Sequence, residues 1–452
     1  MKKNLVNISS PIADRTLKIE YRPIESIRPN PSNARIHTDR QIRQIAASIT
    51  TFGLNWPILI EQTGVVIAGH ARLEACKLLR RADIPVILID HLTEHQRVAF
   101  ALADNKLTEN STWDERLLRD QLQILTDAEI DFNLDVIGFE VAEIDMIVES
   151  VDSPGPNLID SADAEIEPVL SKPVSRRGDV WRLGEHRILC GDALCKDDYR
   201  KLMGEKRADA VFTDPPYNVP ISGHAGGKGK VQHREFAMAS GEMSPSDFTE
   251  FLTNVCELLA ANSSQESLIY IFMDWRHMGE LLTAGRAAFA DLRNLCVWVK
   301  NNGGMGSLYR SQHELIFLFG NGGSHRNNVQ LGKFGRSRTN VWNYPGVNSF
   351  SRSTDEGNLL ALHPTVKPVN LVADAIKDCT ARRGLVLDPF LGSGTTVIAA
   401  ARTGRVCYAM DLDPPYVDAA VRRCQKHAGL TAINESTGET FERCEETARA
   451  SE

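Results

Sequence analysis

The stretch from Leu385 to Asp411 constrains the fold more than any other. An apolar run, LVLDPF, breaks at Asp388-Pro389-Phe390-Leu391-Gly392-Ser393-Gly394-Thr395-Thr396. A helix-patterned segment, VIAAARTG, follows, and a second apolar run, VCYAMD, ends in Asp411. Strand, tight turn, helix and strand in that order make a βαβ unit, whose crossover places both strands in one parallel sheet. Glycines after the first strand let backbone amides approach a ligand, and an acidic residue ending the next strand suits ribose hydroxyls. Read alone, the turn fits an ordinary strand-to-helix connection equally well. No lysine follows it as in a P-loop, so a triphosphate site is not expected.

A second strand end carries the other half of the chemistry. After ADAVFT come Asp214-Pro215-Pro216-Tyr217, where two prolines deny the chain a helix. They hold an open turn at the strand's carboxyl end, the edge at which open α/β sheets bind ligands. A conjugated base amine needs acceptors that draw its lone pair out of the ring, and a surface on which the base stacks once it has left the duplex. The Asp214 carboxylate, the Pro215 carbonyl and the Tyr217 ring are of those types. Such a site works by positioning and polarisation, and no metal is expected. Asp413-Pro414-Pro415-Tyr416 repeats the tetrapeptide, but it follows Asp411 and leads into VDAAVRRC, so its prolines are expected in the first turn of a helix.

Composition narrows the setting. The 452 residues are 42% hydrophobic and 24% charged, enough for two or three domains with cores of their own. A net charge of −8 speaks against a general polyanion binder, so any nucleic-acid surface is a local basic patch. No run approaches the roughly 20 apolar residues that span a bilayer, and the amino-terminal stretch lacks the apolar core of a signal peptide. An intracellular, cytoplasmic location is the expectation. The nine cysteines form no CxxC pair and are expected as buried thiols.

Five segments emerge along the chain. Residues 1–20 are an extension, and residues 21–150 form a small α/β unit that closes with three helical patterns. Residues 151–177, rich in proline and acids without sustained periodicity, are expected to be a linker that buries little surface. Residues 178–430 alternate apolar runs (DAVFT, SLIYIFM, LCVWV, ELIFLF and the two above) with helical segments, a second α/β domain. The polar residues 431–452 are expected to be loosely ordered.

From about Gly178 to about His427, the chain resembles the N6-adenine/N4-cytosine DNA methyltransferases of the β arrangement, in which the catalytic motif precedes the cofactor motif. TDPPYN, residues Thr213 to Asn218, and DPFLGSGTT, residues Asp388 to Thr396, carry the resemblance. It implies a Rossmann-like methyltransferase domain with circularly permuted motif order, S-adenosylmethionine as donor, double-stranded DNA as substrate and, as often in the family, a homodimer. Asp214, Pro215, Pro216 and Tyr217 then match the catalytic loop, with Asn218 toward the nucleic acid. Asp388, Pro389, Phe390, Gly392, Ser393, Gly394 and Thr395 match the methionine-binding loop. His363, Thr365 and Lys367 of HPTVKP match a segment that helps enclose the methionine, and Asp192 of CGDAL matches an acid near the donor's adenine. Thr213, Asp411 and Leu412 complete the implied cofactor set, with Asp411 standing where a glutamate is commoner. Aspartate rather than serine at the head of the catalytic loop favours adenine N6. Cytosine N4 or an RNA amine is the alternative, and a DNA-binding regulator with a non-catalytic methyltransferase domain is another. A bacterial or phage origin and a nucleoid location fit; the target site and any restriction partner are not legible.

Val219 to Ser353 is too long for a simple connection. Within it, GHAGGKGKVQHR and HRNNVQLGKFGRSR combine glycine with basic residues, and Arg310, Lys333, Arg336 and Arg338 are expected at phosphates, although ordinary solvated surface accounts for any one of them equally well. Trp275 and Trp298 are expected in the core or at strand edges. In the front unit, strand VVIAG ends at Gly69, and His70 and Arg72 begin a helix whose free amides suit a phosphate, with Arg35 of NPSNAR nearby in type. Residues 20 to 110 resemble the amino-terminal domain of ParB partition proteins and of sulfiredoxin. ParB proteins usually show a glutamate and two arginines directly after that glycine, whereas here the order is Gly69, His70, Ala71, Arg72, so cytidine triphosphate chemistry is not carried over. The sulfiredoxin cysteine is missing too, which excludes its redox chemistry. The glycine-to-helix turn and the helical stretch behind it point to a domain that assists DNA engagement or dimerisation; the plainer alternative is that Arg72 only caps and solvates the turn.

Overall fold

A computed structural model describes residues 17–128, 130, 132, 134–149, 160–164, 173–219, 241–301, 303, 308–331, 338–346 and 366–450. The chain divides into two compact units, Met1–Val148 and Glu149–Glu452.

The first unit contains β1 (Ile19–Pro23), α1 (Asp39–Phe52), β2 (Ile58–Ile60), β3 (Val66–Ala68), α2 (His70–Leu78) and β4 (Asp83–Leu88). Its sheet runs in the order β1-β4-β2-β3, with β2 and β4 parallel and the other pairs antiparallel. Ile58, Ile60, Val66, Ile84 and Val86 of the sheet pack with Ala46, Ile49, Leu73, Ala75 and Cys76 of the two helices. The start of α1 is local chemistry: the Thr38 side chain accepts the Gln41 amide, and Gly53 at φ 87° ends the helix. Three more helices follow as the pattern predicts, α3 (Glu94–Glu109), α4 (Glu115–Asp127) and α5 (Val141–Glu149). A Thr93–Gln96 capping box opens α3, while Leu118, Leu122, Leu134 and Ile144 form a separate small core.

The second unit contains, in order, α6 (Ser161–Ala164), β5 (Val180–Leu183), β6 (His186–Cys190), α7 (Lys196–Met203), β7 (Ala208–Thr213), α8 (Pro245–Asn262), β8 (Ser263–Met273), α9 (Met278–Ala288), β9 (Asp291–Val299), β10 (His313–Gly320), β11 (Val341–Asn343), α10 (Val369–Cys379), β12 (Leu385–Asp388), α11 (Thr395–Arg402), β13 (Val406–Asp411), α12 (Pro414–Ala428), β14 (Ala432–Asn434) and α13 (Phe441–Ala450). One 10-stranded sheet runs β11-β9-β10-β8-β7-β12-β13-β6-β5-β14. Its five central strands, β8, β7, β12, β13 and β6, are mutually parallel. Buried clusters cover both faces, which is why these strands read as unbroken apolar runs rather than alternating ones. The repeated tetrapeptide behaves as expected: Pro414 and Pro415 open α12.

Two expectations fail for the described residues. In the segment expected to bury little, Ala162 is fully buried in the main core, and the amides of Val174 and Ser175 donate to the Asp418 carboxylate at 2.6 and 2.9 Å. Acidic residues that look solvated in the sequence serve as acceptors for buried donors. In the tail, β14 adds antiparallel to β5, and the Phe441 ring sits 5.0 Å from Trp181, with Phe441 only 1% exposed. One aromatic and one short strand anchor a segment too polar to show a pattern. No helix among the described residues is long and apolar enough to cross a membrane.

Candidate active site

Because the central strands are parallel, their carboxyl ends share one edge of the sheet. Along it lie Asp214 after β7, Asp388 ending β12, Asp411 ending β13 and Asp192 just after β6, on four adjacent strands. This is the convergence that the two motifs require.

Asp214 sits in a buried chain of charges. Its Oδ1 accepts the Tyr217 hydroxyl at 2.5 Å, and its Oδ2 accepts the Lys367 ammonium. Lys367, 7% exposed, also pairs with Glu314 at 3.2 Å, and Glu314 in turn pairs with Lys300 and lies 3.3 Å from the Tyr217 hydroxyl. The Lys367 ammonium rides 4.9 Å over the Phe272 ring. Burial pushes the Asp214 carboxyl above the ordinary aspartate range, against the pull of Lys367. Burial acts on Glu314 the same way, but the ammonium groups of Lys367 and Lys300 outweigh it and hold that carboxyl down at about 2. Burial would neutralise Lys367, yet Asp214 and Glu314 keep it charged and raise its pKa.

The glycine loop is braced by the two strand-end carboxylates. Asp388 accepts the Thr213 hydroxyl at 2.8 Å, the Thr396 hydroxyl at 2.6 Å and the Phe390 amide at 3.2 Å, so it ties the end of β7 to the loop after β12. Asp411 accepts the Gly392 amide at 3.0 Å and the Asp413 amide at 3.1 Å. Burial raises both carboxyls to about 6. Gly392 at φ 53° and Gly394 at φ 84° make the turn possible, and a Cβ on Gly394 would meet the Cys424 sulfur at 2.8 Å. Ser393 and Thr395 face the buried Arg423. The Leu412 carbonyl accepts Arg177 at 3.2 Å, and Asp192 accepts the Leu194 amide at 2.9 Å in a tight local turn.

Other expected site residues lie elsewhere. The Asn218 side chain is 9% exposed and spans Gly241 and Met243, to whose backbone it is bonded at 2.9 to 3.2 Å, so it pins chain rather than meeting nucleic acid. Arg338 pairs with Asp374 at 3.2 Å and Asp378 at 2.7 Å, which commits its fork to helix α10 instead of a phosphate. Arg310 donates to the Gly303 carbonyl at 2.5 Å. Trp298 is core at 2% exposure, whereas Trp275 is 52% exposed with Arg276 stacked 4.9 Å above it. In the first unit Arg72 donates to the Pro57 and Trp56 carbonyls at 3.2 and 3.4 Å. Its neighbour His70 accepts the Asn30 amide at 3.2 Å beside Gly69 in the left-handed region at φ 103°. Arg35 is held by Asn105 and Glu109 of α3. His363, Thr365, Lys333 and Arg336, with the loop Gly223 to Arg234, lie outside the described residues. Sequence reasoning missed Glu314, Lys300, Asp163 and Arg423. A charged residue at the head of the apolar run HELIFLF was the available signal for Glu314.

Both compact units have known relatives. The DNA methylase family matches residues 208–422, and the ParB N-terminal domain family matches residues 13–106. The ParB-like nuclease domain-containing protein YnaK of Escherichia coli K12 is 42% identical over 81 residues, 18% of this chain and 93% of that protein. The type II methyltransferase M.ScaI of Streptomyces caespitosus is 25% identical over 289 residues, 60% of this chain and 89% of that protein. Among solved structures, a putative DNA modification methylase of Thermus thermophilus, complexed with S-adenosyl-L-methionine, has 21% identity and a TM-score of 0.37 over 56% of this chain and 96% of its own. Residues 208–422 are a DNA methyltransferase domain of the N6/N4 family, and the chain carries a ParB N-terminal domain ahead of it.

Proposed function

We propose that the protein transfers a methyl group from S-adenosylmethionine to the exocyclic N6 amine of adenine in double-stranded DNA. The observation that carries this reading is the meeting, on adjacent strands β7 and β12, of an acceptor turn and a glycine loop bridged by the Thr213–Asp388 hydrogen bond.

The residues present fit such a donor. Asp411 and Asp192 are carboxylates of the kind that bind ribose hydroxyls and an adenine amine, and the Gly392 turn offers backbone without side chain. Bound there, the donor supplies an electrophilic methyl on a sulfonium. Asp214 and the Pro215 carbonyl accept the N–H groups of the target amine and draw its lone pair out of conjugation, while the Tyr217 ring stacks on the extruded base. The Lys367–Glu314–Lys300 chain keeps a charged Asp214 tolerable in a buried place, so the acceptor is set before the base arrives. An aspartate at the head of the loop supports adenine over cytosine.

Asp214→Ala is expected to lower labelled-methyl incorporation into DNA by at least about a thousandfold. Binding of S-adenosylhomocysteine, followed by calorimetry, should stay within about threefold. Retained turnover would mean that the acceptor loop lies elsewhere. Mass spectrometry of digested product DNA decides the base: N6-methyladenine supports the proposal, and N4-methylcytosine alone replaces it with the cytosine reading.

A further inference from the structure

Asp163 belongs to neither motif, yet it joins the segments that flank the site. Both of its carboxylate oxygens accept the Val369 amide, each at 3.2 Å, at the first residue of α10 and two positions after Lys367. The same carboxylate faces the Arg423 guanidinium at 3.4 Å. Arg423, 1% exposed, turns Nη1 on the glycine loop, 2.9 Å from the Ser393 carbonyl, the Ser393 hydroxyl and the Thr395 hydroxyl. Its Nε and Nη2 donate to the Ala162 carbonyl at 3.2 and 3.0 Å. The Thr395 hydroxyl donates onward to the Lys367 carbonyl at 3.3 Å, which closes a ring of contacts from Lys367 to the loop and back.

A guanidinium this deeply buried is stable only while it is paired. Asp160, just ahead of the same short helix, pairs with Arg402, so Asp163 is the carboxylate in direct contact with Arg423 in this ring. Burial lifts the Asp163 carboxyl to about 7 against the pull of Arg423. Replace that carboxyl, and Arg423 has reason to leave the Ser393 and Thr395 oxygens for water. The loop then loses the cation that shapes it, although every loop residue is intact.

We infer that Asp163 is a positioning residue for the methyl donor: it holds Arg423, and through Arg423 the Ser393–Thr395 turn, in the shape that receives the donor's methionine end. This rests on the reading of that loop as the donor site. The methylase would therefore draw part of its donor affinity from the stretch of chain that precedes its first strand.

The test uses the full chain and three readouts: the Kd of S-adenosylhomocysteine by calorimetry, kcat with the KM for DNA, and the melting temperature. Asp163→Asn is expected to weaken analogue binding about tenfold, the scale of one lost charge-assisted contact, with kcat at saturating donor and the KM for DNA within about twofold. Asp418→Asn is the control for loosening in general, because Asp418 anchors Val174 and Ser175 on the same helix α12 without touching the glycine loop. It should lower the melting temperature and leave the analogue Kd alone. Asp163→Asn binding the analogue like the unaltered protein overturns the inference, and so does Asp418→Asn weakening it equally. Failure of the unaltered protein to bind the analogue at all overturns the donor-site reading itself.

Discussion

Lys367 lies between two carboxylates, and that placement governs how fully Asp214 can act as an acceptor. If Glu314 loses its charge, the ammonium leans wholly on Asp214 and competes with the incoming amine. Glu314→Gln is therefore expected to slow single-turnover methyl transfer roughly tenfold, about 1.4 kcal/mol, with donor and DNA binding nearly unchanged. An unchanged rate would mean that Glu314 only packs. Asp388 allows a sign to be worked out. Burial lifts its folded-state carboxyl from 3.8 to about 6, so the folded protein holds this proton more tightly than the unfolded chain. The stability linked to that proton is fully present below pH 3.8 and is lost as pH rises through about 6. Asp388→Asn cannot titrate, so urea unfolding should show the variant at its greatest disadvantage near pH 4 and gaining on the unaltered protein up to pH 7. A gap constant with pH would contradict the burial argument.

At the scale of elements, legibility followed length and periodicity. Long apolar runs such as SLIYIFM and amphipathic stretches such as α1 announced themselves, because a strand buried on both faces is apolar throughout and the buried face of a helix repeats every 3.6 residues. The turns around Asp214 and Gly392 were legible too, since proline and glycine restrict the backbone locally. Helix α6, at four residues, and strand β14, at three, are too short to repeat a pattern and left no trace. Their docking rests on single side chains instead. Phe441, edge-on to Trp181, is the anchor of α13, and Phe441→Ala is expected to cost about 3 kcal/mol in chemical unfolding. A loss below about 0.5 kcal/mol would leave the tail unanchored after all.

For the whole molecule, the division into two compact units raises the question of what the ParB domain adds to a methylase. If it helps engage DNA, a chain of residues 160–452 should keep kcat and donor affinity while its KM for DNA rises several-fold; an unchanged KM for a long duplex would remove that role. The cut belongs before Asp160, because α6 is part of the methylase core, and a start at residue 172 would confuse loss of the ParB domain with loss of Asp163.

The sequence alone determined the class of fold, the turns at Asp214 and Gly392 and the family, because each depends on local backbone limits or on the pattern of apolar residues. It also separated Asp214 from its copy at Asp413, since a helix start needs only its neighbours to be read. Tertiary structure decided which charges meet. Lys367, Glu314 and Lys300 gather at Asp214 from separate segments, Arg338 turns to Asp374 and Asp378, and Asp163 reaches Arg423 from the far side of the chain. Ion pairs form between side chains brought close by packing, and no spacing along the chain records which acid a buried cation will find.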